Sequence, residues 1–158
     1  MLTVICSFSR FCWLIPLKEK TAPEVAKGLL RDVFLDLAGF PAVLRSDNAS
    51  EFVSEVVAIM NAELGVHHIT GSSYHPQSQG MVERMHRTLN DVMTALVRDY
   101  PDTWELRLKP AQFVLRVSPS KALGGRSPYE VVTGMRVKLP SAMVTGHRVQ
   151  DMPKGRVR

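Results

Sequence analysis

The sequence predicts an α/β fold whose strands gather in the first half and whose helices close the second. Three observations carry this expectation. Short β-prone apolar runs at residues 2–6 and 11–17 flank the polar turn Ser7-Phe8-Ser9-Arg10, as in a hairpin. Beyond them, apolar residues recur at helical spacing in blocks that alternate with two more strand-like runs. From residue 81 to Gly134 only helical spacing remains. The expected order is therefore β-β-α-β-α-β-α-α-α.

Each element has its own signal. Thr21 stands three residues before Glu24, the spacing of a capping box, and opens the first helix. Val25, Leu29, Val33, Phe34 and Leu37 form its apolar stripe, and Gly39 suits its C-terminal stop. Residues 42–47 read as a strand ending in the polar pair Ser46-Asp47. Phe52, Val56, Ile59, Met60 and Leu64 mark a second helix, with Gly65 past its end. Residues 66–70 form another strand. Its neighbours His67 and His68 point to opposite sides and are not expected to chelate one metal. Residues 71–80 read as a polar loop. Residues 81–99 are the strongest helix, with Val82, Met85, Leu89, Val92 and Leu96 on one face and Arg84, Arg87, Thr88 and Asp91 on another. A further helix begins near Asp102 and carries Trp104, Leu108, Ala111 and Val114, with Pro110 as a kink or break. Ser127-Pro128-Tyr129-Glu130 is a second capping box, and its helix stops at Gly134. Trp13 and Trp104 are expected in the core.

Composition bounds the function. The 158 residues suit one hydrophobic core, and 45% apolar with 22% charged residues argues against a disordered or collagen-like chain. No apolar run is long enough to span a bilayer, and no basic-then-apolar leader is seen. Cys6 and Cys12 alone cannot build a disulfide scaffold or a zinc ribbon. An intracellular protein, nuclear or cytoplasmic and without a membrane partner, is expected. The net charge of +5 is unevenly placed: residues 1–134 are formally neutral, while Arg136, Lys138, Arg148, Lys154, Arg156 and Arg158 face only Asp151 in residues 135–158. This divides the chain into a body, 1–134, and a basic tail, 135–158. Such a tail suits a polyanion such as nucleic acid, or is simply solvated.

Asp47 at a strand end and Glu83 on the strongest helix are the candidate chemical pair. Carboxylates on rigid elements suit Mg²⁺, which takes one or two protein oxygens and leaves room for phosphate. Asp47 equally suits a turn, and Glu83 an exposed pair with Arg87 one helical turn on.

Two longer segments add context. Ser46-Asp47-Asn48-Ala49-Ser50-Glu51-Phe52 and Tyr74-His75-Pro76-Gln77-Ser78-Gln79-Gly80-Met81-Val82-Glu83-Arg84 resemble the integrase core of retroviruses and gypsy-like LTR retrotransposons. That family reads Ser-Asp-x-Gly-x-x-Phe and then Tyr-His-Pro-Gln-(Ser/Thr)-(Asp/Asn)-Gly-x-x-Glu-Arg. Its last two catalytic acids are separated by thirty-five residues, as Asp47 and Glu83 are here. The early Ser9-Arg10 turn and residues 127–134 fit as well. Asn48-Ala49, Gln79 and His86 depart from the usual residues.

The resemblance implies a ribonuclease H-like mixed sheet flanked by helices. It makes Asp47 and Glu83 the second and third catalytic acids and the ligands of Mg²⁺ or Mn²⁺. It places Tyr74, His75 and Gln77 in a loop approaching DNA. Arg84 and Arg87, and in the tail Arg136 and Lys138, are candidate phosphate contacts. DNA and further copies of the chain are the implied partners. The implied activity is DNA integration by polynucleotidyl transfer, through 3′-end processing and strand transfer. The family's first acid lies on a central strand ahead of the run at residues 2–6, and these 158 residues hold no counterpart to it. The first, central strand is thus expected to be missing from the sheet and the chain alone to be inactive. A non-enzymatic nucleic-acid-binding remnant or domesticated protein is the other reading.

Overall fold

In the computed structural model, residues 1–36, 40–70, 76–97 and 104–139 are described. The hairpin forms as expected from β1 (Leu2–Ile5) and β2 (Cys12–Ile15), antiparallel, with Leu2 opposite Ile15 and Ile5 opposite Cys12. Its turn closes through Cys6 N–H to Phe11 C=O at 2.8 Å and Arg10 N–H to Cys6 C=O at 3.0 Å. Arg10 takes φ 60°, the left-handed region that non-glycine residues seldom enter.

All of β2 is buried, and its two-residue period divides the interior. Trp13 and Ile15 join Phe11, Leu2, Val25, Leu29, Val33, Phe34 and Val66 in one cluster. Leu14 points the other way, into a second cluster with Leu89, Leu108 and Ala111. Helices therefore cover both faces of the hairpin.

The first cluster is closed by α1 (Ala22–Leu29), which continues as a wider π turn over Leu30–Phe34. Gly28 lets this helix approach closely, since a Cβ there would meet Ile15 Cγ2 at 3.4 Å and Leu2 Cδ2 at 3.7 Å. Thr21 is the N-cap, yet its side chain makes no capping hydrogen bond. Pro23 removes one of the amides it would have capped. The expected stripe Val25, Leu29, Val33 and Phe34 is buried, whereas Leu37 and Gly39 lie outside the described residues.

Next, β3 (Val43–Ser46) pairs in parallel with β4 (His67–Thr70), connected by α2 (Glu55–Glu63). The register sets Leu44 opposite His68 and Ser46 opposite Thr70. The sequence found the face of α2 only in part: Phe52, Met60 and Leu64 pack against the first cluster as expected. Val56 and Ile59 are exposed, and Val57 and Asn61 face inward instead. This helix is apolar nearly all round, so spacing could not choose its face.

Asn61 is 2% exposed, and neither its amide nitrogen nor its amide oxygen has a hydrogen-bond partner among the described residues. Leucine has the same heavy-atom branching without the polar atoms. Asn61→Leu is therefore expected to raise stability by about 1 kcal/mol, read from the urea midpoint. An unchanged or lowered midpoint would show that the amide is satisfied.

The second half is helical. The strongest helix, α3 (Pro76–Val97), begins five residues before the expected start at 81. Proline suits the first helical turn, and the polar residues behind it do not break a helix. Met85 and Leu89 are buried and Val92 and Leu96 half-buried, as expected, but Val82 is exposed. The next described helix, α4 (Trp104–Val117), packs against α3 and runs through Pro110 without ending. Pro110 is exposed, so the carbonyl it leaves unbonded has access to water. Trp104, expected in the core, is 38% exposed, because it opens α4 a full turn before Leu108 enters the second cluster. The short α5 (Pro128–Thr133) carries the predicted capping box, with both the Ser127 and Glu130 hydrogen bonds formed, and ends at Gly134 with φ 72°.

Two side chains of α4 finish the outer edge of β2. Gln112 Oε1 accepts the Leu14 N–H at 2.8 Å, and Arg116 Nε donates to the Cys12 C=O at 2.8 Å. Residues four apart on a helix thus meet groups two apart on a strand, rises of about 6 Å and 6.7 Å. The inner side differs. Instead of one mixed sheet, the described residues form two sheets of two strands each. Val66, beside β4, and the half-buried Leu44 of β3 pack with Leu2 on one core, so the sheets share a cluster without sharing hydrogen bonds. The physical reason is that no described segment lies hydrogen-bonded between β1 and β3, in keeping with the expected lack of a central strand.

Candidate active site

Asp47 follows β3 directly and is exposed. Its Oδ1 accepts the Ala49 N–H at 3.3 Å. Phe52 N–H then returns to Ala49 C=O at 2.9 Å. Ser54 ends the loop as N-cap of α2, accepting from Val57 N–H and donating to Glu51 C=O. The loop is thus a series of short local hydrogen bonds, which is why Ser, Asn and Asp populate it.

Glu51 in this loop was missed by sequence reasoning. It is 7% exposed, and Lys20 reaches it at 3.1 Å from the segment before α1. A hydrogen bond from its own backbone N–H, with Lys20 and Ser50 adding to it, holds its carboxyl below the usual range. No local pattern marks this pair, whose partners lie thirty-one residues apart.

Ser46 lies beside Asp47 and donates from Oγ to the Asp47 C=O at 2.8 Å. The same Oγ is 3.0 Å from His68 Nε2 on β4. Burial lowers the pKa of His68, favouring the neutral ring. His67 is exposed, so the two histidines do divide between the faces of the strand.

Glu83 stands two turns into α3 and is exposed, as are Arg84 and Arg87. Arg84 lies back along the helix, its Nη1 only 3.6 Å from where a Cβ on Gly80 would be. No ion pair joins Glu83 to Arg87 among the described residues. Asp47 and Glu83 belong to different elements, and residues 71–75, between β4 and the helix that carries Glu83, lie outside the described residues. Ser46 is opposite Thr70 at the C-terminal ends of β3 and β4, and α3 starts at Pro76. The region outside the carboxyl ends of parallel strands is where open α/β sheets bind ligands.

Of the other candidates, Tyr74 and His75 lie outside the described residues. Gln77 falls in the first turn of α3, and its side chain is likewise outside them. Arg136 is paired, its Nε 2.9 Å from Glu130 Oε1, while Lys138 is exposed. No group of three or more metal-ligating side chains occurs among the described residues. The exposed carboxylates of Asp47 and Glu83 are hard oxygen donors of the kind Mg²⁺ accepts.

The two cysteines take no part in this arrangement. Cys12 is buried, and burial pushes its thiol up to about 11, so it stays protonated at neutral pH. No described helix is long and apolar enough to cross a membrane.

Comparison with known proteins gives the same direction from sequence and from fold. Residues 1–76 match the family described as integrase core domain. Over 135 residues the chain is 34% identical to the Pol polyprotein of feline endogenous virus ECE1, covering 85% of this chain and 13% of that polyprotein. The chain therefore spans only a small part of that curated relative. The HTLV-2 integrase catalytic core domain in complex with magnesium superposes with a TM-score of 0.68 at 18% identity, over 82% of this chain and 81% of that one. The catalytic core domain of BIV integrase superposes with a TM-score of 0.63 at 32% identity, over 86% of this chain and 81% of that one. The ribonuclease H-like α/β fold and this level of identity together show that the chain belongs to the integrase catalytic core family.

Proposed function

We propose that this chain is the core portion of an integrase that acts on DNA by polynucleotidyl transfer, with Asp47 and Glu83 as its two metal-binding acids. The observation that supports the reading is that Asp47 directly follows β3 and Glu83 is exposed two turns into α3, each carboxylate standing on or beside a regular element. Support comes from the magnesium in the HTLV-2 core structure. In 3′-end processing, water attacks a phosphodiester and frees a 3′-hydroxyl. In strand transfer, that hydroxyl attacks a phosphodiester of the target DNA. Each step exchanges one P–O bond for another, so no covalent protein intermediate is required. Mg²⁺ or Mn²⁺ bound at these carboxylates supplies Lewis-acid stabilisation of the phosphate oxygens and activation of the attacking group. The chain's own part is to hold the carboxylates on rigid elements, with Arg84 and Arg87 beside Glu83 to contact backbone phosphates. Association with further copies of the chain belongs to the same reading.

Mn²⁺ titration of the purified chain, followed by electron paramagnetic resonance, tests the acids. Binding is expected to be weak, and to weaken by about tenfold or more in Asp47→Asn and in Glu83→Gln, since each removes a hard ligand. Equal binding in both variants would overturn the assignment. With Mg²⁺ and DNA, the 158-residue chain alone is expected to give no strand transfer. Glu83-dependent product would show that two acids suffice.

The charge distribution favours a second reading, a DNA-binding protein without catalysis. In that case the six cations after residue 134 carry the function, and Glu83→Gln changes nothing.

A further inference from the structure

The Ser46 hydroxyl has one proton and two contacts. The Asp47 C=O, 2.8 Å away, can only accept, so the Ser46 proton points there. His68 Nε2, 3.0 Å away, therefore meets a lone pair of Ser46 Oγ and itself carries hydrogen. The result is a directed relay, His68 Nε2–H to Ser46 Oγ–H to O=C of Asp47. It holds for the charged ring and for the neutral ring as its Nε2–H tautomer, since Nε2 donates in both.

This relay is the one described tie from another strand to the peptide that follows Asp47. The remaining hydrogen bonds of the turn are local: Asp47 Oδ1 with Ala49 N–H, and Phe52 N–H with Ala49 C=O. The register explains the reach. Leu44 and Ser46 share a face of β3, and His68, opposite Leu44, leans along the strand to Ser46. We propose that His68 is a positioning residue for Asp47, acting through Ser46 to fix the peptide plane from which the carboxylate projects. The proposal rests on the reading of Asp47 as a metal ligand. Groups behind a ligand that fix its orientation commonly change metal affinity 10- to 100-fold when lost.

The test uses the full chain with His68→Ala, His68→Gln and Ser46→Ala, and two readouts. Amide hydrogen exchange reports the turn without metal. In His68→Ala, Ala49 N–H is expected to exchange about tenfold faster, while His67 N–H, bonded to Ala42 C=O, keeps its protection. Mn²⁺ affinity is expected to fall about tenfold. Glutamine carries an N–H donor on a chain of similar reach, so His68→Gln should restore both. Ser46→Ala should reproduce the loss with little change in packing, and it stands in if His68→Ala does not fold. Unchanged Ala49 exchange in His68→Ala or Ser46→Ala overturns the proposal. So does loss of protection throughout β3 and β4 that glutamine does not rescue, since that marks packing alone. If Asp47→Asn leaves Mn²⁺ affinity intact, the site reading fails, and Ala49 exchange alone decides whether His68 positions this turn.

Discussion

Arg116→Ala is expected to cost about 2–4 kcal/mol of stability, measured by urea unfolding. The guanidinium is held on three sides. Its Nε donates to the Cys12 C=O at 2.8 Å, and its carbon sits 3.9 Å above the centre of the Phe11 ring and 5.5 Å from that of Trp13. Asp36 lies 3.5 Å from its terminal nitrogen and also accepts from Trp13 Nε1 at 2.7 Å. Burial lowers the Arg116 pKa, and Asp36 pulls against that shift. The Asp36 pair contributes least, since that carboxylate is 44% exposed and solvent-screened. Most of the loss comes from an edge carbonyl left without its charged donor and from the two ring contacts. Arg116→Lys is expected to recover less than half, because an ammonium cannot stack flat on Phe11 while donating sideways to Cys12. A loss below about 1 kcal/mol in the alanine variant would show that the edge of β2 does not depend on this residue.

The second large effect concerns DNA. Deleting residues 135–158 removes Arg136, Lys138, Arg148, Lys154, Arg156 and Arg158, and with them the formal positive excess. If all six meet phosphates, affinity for duplex DNA falls about 10³-fold between 50 and 200 mM salt. Arg136 is already engaged by Glu130, so five full contacts is the firmer expectation. The deletion variant should lose less than about tenfold over the same range, as a much smaller count of released counterions requires. Fluorescence anisotropy at several salt concentrations reads the slope directly. An unchanged slope would move the contact surface to α3, where Arg84 and Arg87 are exposed.

The order of elements was legible because it depends on local pattern. The hairpin, the Ser127 capping box and the stripe of Val25, Leu29, Val33 and Phe34 are all written within a few residues of one another. Asp47 and Glu83 were legible as candidates for a different reason, the long ordered motifs around them. What stayed hidden depended on other parts of the chain. No spacing rule told Val56 from Val57 as the inward residue of α2, because that choice belongs to the surface against which the helix packs. Glu51 looked like an ordinary loop acid until Lys20 was seen beside it. The contact of His68 with Ser46 follows from strand register, and register is a property of pairs. The start of α3 was missed because polar residues after a proline suit a loop and a first helical turn equally.

The closure of the β2 edge also has a consequence in time. Leu14 and Cys12 are satisfied by residues 98 and 104 positions further along the chain. A ribosome adding about 5–20 residues per second leaves the hairpin edge uncovered for about 5–20 s before Gln112 and Arg116 exist. Throughout that interval a fully apolar strand, Cys12–Ile15, has exposed main-chain donors and acceptors on one side. The nascent chain is therefore most open to mispairing between the synthesis of β2 and that of α4, and slower translation of that stretch lengthens the exposure. The guards of this hairpin edge are made 98 and 104 positions after the strand groups they satisfy.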